Sequence, residues 1–210
     1  MPEVDPRQHD RFVMKQRFTM VVNRYEFYLA EDETTPFCFV EQKRFKFKED
    51  IRFFSDASKT NELIRILARQ RFDPRATYDV TSANGVKLGE IQKVFGKSLF
   101  RSTYRIADAT GNGDVIAREK SVAMAAVRRF IDIPAMLLPG GDIVRSLMNW
   151  LPFPYDFEFL RGETVLGINK RRRGKLIDVY DIDFSADAER TLDRWMLIAL
   201  CVGMDALQAR

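Results

Sequence analysis

From Phe12 to about Glu119 the chain alternates apolar and polar residues in short runs separated by turn formers. Period-two alternation buries one face of an extended chain and leaves the other to water, so these runs predict antiparallel strands. They fall at 11–17, 24–30, 37–47, 51–55, 63–71, 76–81, 87–93, 103–107 and 115–119. Asn84-Gly85 and Thr110-Gly111-Asn112-Gly113-Asp114 separate neighbouring runs; both supply residues that accept positive φ, as tight hairpins require. Between 121 and 149 Ala, Met and Leu replace Val, Thr and aromatics, and Pro134, Pro139, Gly140 and Gly141 break the segment, which predicts one or two short helices. Alternation returns at 155–160, 164–170 and 175–184, with turns at Arg161-Gly162-Glu163 and Arg173-Gly174. Ser185 or Asp187 then offers an oxygen to cap a closing helix, predicted over about 188–207.

That last helix decides the architecture. Met196, Leu197, Ile198, Ala199, Leu200, Cys201, Val202, Gly203 and Met204 leave it no polar face, and in a water-soluble fold such a helix must be surrounded. About twelve alternating strands are enough to close around one. The expected fold class is therefore mainly β (α+β), a closed antiparallel barrel of about twelve strands around a central apolar C-terminal helix. A chain of 210 residues suits one such domain, 11–210, behind a flexible polar lead-in at 1–10. The apolar stretch from Trp195 to Met204 is ten residues, against the ~20 that span a bilayer, so no transmembrane span is expected. With no secretory signal visible at the start, the expected location is the cytoplasm.

The side-chain inventory narrows the chemistry. His9 is the one histidine and Cys38 and Cys201 the two cysteines, too few for a histidine-assisted nucleophile or a zinc centre. Both cysteines sit among apolar neighbours and read as reduced core thiols. Glu26, Glu90, Glu119 and Glu158 fall where strand surfaces normally carry charge, and no paired acids converge. The expectation is a protein that is not an enzyme and needs no cofactor.

Three stretches carry a family resemblance: Phe37-Cys38-Phe39-Val40-Glu41-Gln42-Lys43, then Phe47-Lys48-Glu49-Asp50-Ile51-Arg52-Phe53-Phe54, then Ile66-Leu67-Ala68-Arg69-Gln70. With Ala76-Thr77-Tyr78-Asp79-Val80, Lys87-Leu88-Gly89-Glu90-Ile91 and the terminal Asp193-Arg194-Trp195-Met196-Leu197-Ile198-Ala199-Leu200, they resemble the tubby C-terminal-like superfamily. More narrowly, the chain is similar to LURP-one-related and phospholipid-scramblase-like proteins. The resemblance implies a twelve-stranded barrel threaded by the C-terminal helix. It implies less about activity, since tubby-type members bind phosphoinositide headgroups, scramblase-type members are linked to calcium-dependent lipid movement, and fold alone does not settle function.

Candidate sites follow from charge and exposure. Lys170, Arg171, Arg172, Arg173 and Lys175 put five cations in six residues at a predicted hairpin tip, which suits an anionic partner such as a phospholipid or phosphoinositide headgroup at a membrane surface. Net charge is only +4, so any attraction is local. Arg44, Lys46 and Lys48 share one strand face, with Phe45 and Phe47 on the other, and form a second candidate for an anionic headgroup. Ordinary burial explains the same pattern, and single-stranded nucleic acid would need exposed aromatics, which makes nucleic acid an unfavoured partner. Asp181, Asp183 and Asp187 imitate the start of a calcium loop, but Ala186 and Leu192 stand where glycine and glutamate are wanted. Strand alternation and helix capping account for them without a metal. Leu138, Trp150 and Phe153, in the apolar segment 133–155, suit a protein partner or a membrane contact, and an interaction scaffold built on that segment is the alternative function.

Overall fold

A computed structural model describes residues 4–18, 22–43, 50–69, 77–94, 103–120, 156–172 and 177–208. The alternating runs form β1 (Arg11–Phe18), β2 (Val22–Leu29), β3 (Cys38–Lys43), β4 (Asp50–Phe54), β5 (Glu62–Ala68) and β6 (Thr77–Ser82). They continue as β7 (Lys87–Lys93), β8 (Thr103–Asp108), β9 (Val115–Glu119), β10 (Asp156–Arg161), β11 (Thr164–Arg171) and β12 (Asp178–Asp183). Each pairs antiparallel with its neighbours in sequence, and β1 also pairs β12, with Phe12 opposite Ile182 and Met14 opposite Tyr180. The sheet thus closes and leaves no unpaired edge to recruit another chain. The short helices expected within 121–149 lie outside the described residues.

Turn chemistry works as the sequence implies at β6–β7, where Gly85 takes φ 79° and its N–H donates to Ser82 O at 2.9 Å. That region is closed to most side-chain-bearing residues, and glycine enters it freely. The core is the lumen. Phe12, Met14, Tyr25, Phe27, Val40, Ile51, Phe53, Ile64, Ile66, Val80, Ile91, Ile106, Phe157 and Phe159 project inward from the strands onto the apolar helix α1 (Arg194–Gln208). Gly89 allows a close approach of wall and helix: a Cβ there would lie 2.5 Å from Ala107 O and 2.8 Å from Met196 Cε.

The helix begins later than the sequence suggests, at Arg194, and neither Ser185 nor Asp187 caps it. Asp193 does, its Oδ1 accepting from the N–H groups of Trp195 at 2.8 Å and Met196 at 3.4 Å. Asp187 closes the preceding turn instead, accepting from the amides of Thr191 and Leu192 at 3.0 and 3.1 Å. Two acids within one short acidic stretch compete for the capping role, and the one adjoining the first helical amides takes it. The lead-in is also more constrained than its composition implies. Pro6–Gln8 form a 3-10 turn with Pro6 buried, and Arg7 and Asp10 reach Asp193 and Arg194 at 2.9 and 2.6 Å.

Candidate functional site

Period two divides the basic run. Lys170 and Arg172 take the outward phase of β11 and its extension, whereas Arg171 takes the inward phase shared with Gly167 and Asn169. The run is therefore not one tip-borne cluster, since Lys170 and Arg171 belong to the strand. Arg171 pairs with Asp178 of β12. Arg172 holds both oxygens of Glu33, at 2.7 and 2.8 Å, and also Asp181, at 2.6 Å. These carboxylates raise the Arg172 pKa further above its ordinary value. Lys170 is exposed, and on the same outward face two residues earlier Ile168 is exposed too, as is Val165 at the start of the strand. Arg173 and Lys175 lie outside the described residues, as do Arg44, Lys46 and Lys48 and the apolar candidates Leu138, Trp150 and Phe153.

The three acids of the calcium-like stretch face different partners. Asp181 is engaged by Arg172, Asp183 accepts from Ser185 N–H at 2.9 Å, and Asp187 binds Arg194 Nη1 at 2.8 Å. Among the described residues no three His, Cys, Asp or Glu side chains come together in a metal-sized group. Burial pushes the Cys38 and Cys201 thiols up in pKa, so neither supplies a thiolate at neutral pH.

A second site faces inward and was not singled out by sequence reasoning. Gln16, Asn23, Gln42, Glu119 and Asn169 are all buried in the inward phase of their strands. Glu119 thus differs from its expected place on the strand surface, because β9 reads inward at Val115, Ala117 and Glu119. All lie toward one mouth of the barrel, the end where β1, β3, β9 and β11 finish and β2 and β12 begin. Asn23 Nδ2 donates to Gln42 Oε1 at 3.0 Å, and Tyr25 Oη approaches the same oxygen at 3.4 Å. Asn169 Nδ2 approaches Cys201 Sγ on α1 at 3.5 Å. Asn23 Oδ1 and Asn169 Oδ1 have no hydrogen-bond partner among the described residues, and each such buried acceptor costs about 1–3 kcal/mol. The signal was present in the sequence as polar residues in the apolar phase of otherwise regular strands.

Strand number, closure and the threaded helix together define a tubby-like barrel. The LURP-one-related family model matches residues 37–205, and the chain belongs to that family, itself part of the tubby-like superfamily. No curated protein matches the chain.

Proposed function

We propose that this chain is a non-catalytic binding barrel that docks on anionic phospholipid or phosphoinositide headgroups through the outward face of β11 and the basic run that follows it. One observation carries the reading: exposed Ile168 and exposed Lys170 share that face, shortly before Arg173 and Lys175 in sequence. An apolar side chain at the level of the acyl boundary, next to cations at the level of the headgroups, is how peripheral proteins attach. On this reading the protein works in the cytoplasm, held at a membrane surface without crossing it. No helix among the described residues is long and apolar enough to cross a membrane.

Co-sedimentation with neutral, phosphatidylserine-containing and phosphoinositide-containing vesicles tests it. Salt-sensitive binding to the anionic vesicles alone is expected. Combined Lys170→Glu, Arg173→Glu and Lys175→Glu should weaken it at least about tenfold, given roughly 1 kcal/mol per cation near such a surface. Arg171 and Arg172 are left in place because their reversal would break ion pairs within the fold. Binding to no composition, or binding indifferent to these reversals, overturns the reading.

A further inference from the structure

Arg172 is held by two carboxylates of different standing. Asp181 is built into β12, where the register sets it opposite exposed Lys170. It takes one edge of the Arg172 fork, accepting from Nε at 2.9 Å on both oxygens and from Nη2 at 2.6 Å. The outer end of the fork goes to Glu33, with Nη1 on Oε2 at 2.8 Å and Nη2 on Oε1 at 2.7 Å. Glu33 belongs to no strand, since it lies in the connection between β2 and β3.

That connection is fixed on the outer wall without help from the Glu33 side chain. Asp32 N–H donates to Leu29 O at 3.1 Å, Asp32 Oδ1 accepts from the amides of Thr34 and Thr35 at 3.0 and 3.3 Å, and Lys15 Nζ of β1 donates to the Glu33 carbonyl at 2.7 Å. The Glu33 carboxylate can therefore rotate off Arg172 while the backbone stays in place. The pair is also within reach of solutes, with the Arg172 side chain 28% and the Glu33 side chain 36% exposed, and ion pairs so placed add little to a fold. Two carboxylate oxygens on two parallel N–H groups is the same arrangement that two phosphate oxygens take on an arginine.

Lys170, Arg172, Asp181 and Glu33 together are two cations and two anions, so these four attract no further anion until one acid leaves. Asp181 is bound to its strand register, which makes Glu33 the one that can go. We propose that Glu33 is a built-in competitor for the headgroup: it occupies the place of a phosphomonoester on Arg172 and is exchanged for one on docking, with Asp181 keeping the guanidinium in position beside Lys170. The inference rests on the membrane-docking reading and adds a selectivity to it. A tethered carboxylate competes at high effective concentration, so a singly charged phosphodiester or free carboxylate displaces it poorly. A phosphomonoester, at a charge of about −1.5 to −2 near neutral pH, displaces it well. The face thus favours phosphoinositide over phosphatidylserine.

The full chain and its variants are co-sedimented with phosphatidylserine vesicles and with vesicles in which phosphatidylinositol 4-phosphate supplies the same total charge. The parent should prefer the second. Glu33→Gln should bind phosphatidylserine vesicles about tenfold more tightly than the parent, as one charge-assisted bond regained implies, and so narrow the preference. Glu31→Gln takes the same charge from the same connection, where its partner is His9 and not Arg172, and should gain no more than about twofold because exposed charges are screened. In an Arg172→Gln background the Glu33→Gln gain should vanish, whereas a general charge effect would persist. Glycerol 3-phosphate titrated without vesicles separates the two sources of phosphate: saturable binding to Glu33→Gln there supports exchange with a free phosphomonoester, and vesicle binding alone supports exchange with a headgroup. If the parent binds vesicles, loses them on Lys170→Glu with Arg173→Glu and Lys175→Glu, and is matched by Glu33→Gln, the exchange is overturned and docking stands. A gain that Glu31→Gln equals, or that survives without Arg172, overturns the exchange as well. Binding by neither the parent nor Glu33→Gln overturns both.

Discussion

Arg194 is 1% exposed at the start of α1, where a guanidinium would ordinarily be the last group to leave water. Its fork is fully used. Nη1 donates to Asp187 Oδ2 at 2.8 Å and Leu192 O at 3.1 Å, and Nη2 donates to Asp10 Oδ1 at 2.6 Å and Asp187 O at 3.1 Å. One side chain thus ties the helix to the preceding turn and to the entry of β1. Arg194→Met should lower unfolding free energy by about 3–5 kcal/mol in urea titration, because the nearly inaccessible Asp187 carboxylate is left without its counter-charge. Lysine should rescue little of this, since an ammonium cannot reproduce the planar fork. From the sequence, Arg194 was legible only as the polar boundary of an apolar stretch. That it is buried depends on residues 185 positions away, with His9 O accepting from its Nε at 3.3 Å.

At the scale of elements, two glycines behave oppositely because their surroundings do. Gly203 lies inside α1, and a Cβ there would meet Ile91 Cδ1 at 3.7 Å, an ordinary contact. Gly203→Ala should therefore raise stability by about 0.5–1 kcal/mol, the helix propensity difference, seen as a higher melting temperature. Gly89 on β7 has no such room, with Ala107 O and Asp108 Cα both backbone and within 2.9 Å of its Cβ position. Gly89→Ala should cost about 1–3 kcal/mol by the same measurement, since the helix or the β7–β8 pair has to shift. The strands themselves were legible to within a residue or two wherever alternation was strict, as at Lys87–Lys93 and Val115–Glu119. The helix start was not, because Ser185, Asp187 and Asp193 are chemically equivalent caps until the turn between them is built.

Among the described residues the outer wall is laced with ion pairs, and three of their acids, Asp50, Asp79 and Glu90, share a direction of response to pH. Burial opposes the Asp50 charge, but the guanidiniums of Arg65 and Arg52 bring its pKa down to about 2. Arg69 and Lys87 hold Asp79 and Glu90 below their ordinary values, and Asp187 is lowered by Thr191, Arg194 and two amides against the effect of burial. Carboxylates with lowered folded pKa contribute stability that is complete above their ordinary values, 3.8 for Asp and 4.5 for Glu, and is lost as pH falls through the folded values. The urea midpoint should therefore hold level from pH 7 to about 5, fall below about 4 and still be falling near pH 2. A midpoint that does not move between pH 5 and 2 would show that the pairs contribute nothing.

What the sequence determined by itself was the period of each segment, and with it the strands, their inward faces and the need to enclose an apolar helix. Burial of a repeating pattern is a local matter, so Phe12, Phe53 and Ile106 declare themselves without reference to anything distant. Only the tertiary structure decided which charges were spent. Arg172 and Arg171 read as free cations until Asp181 and Asp178 of β12 and Glu33 of the β2–β3 connection are brought to them. Likewise Gln16, Asn23, Gln42, Glu119 and Asn169 read as isolated polar residues until closure of β1 on β12 gathers them toward one mouth. The physical reason is the same in both cases: hydrophobic burial follows from a residue's own neighbours along the chain, whereas the balance of a charge or an amide depends on partners that only folding supplies.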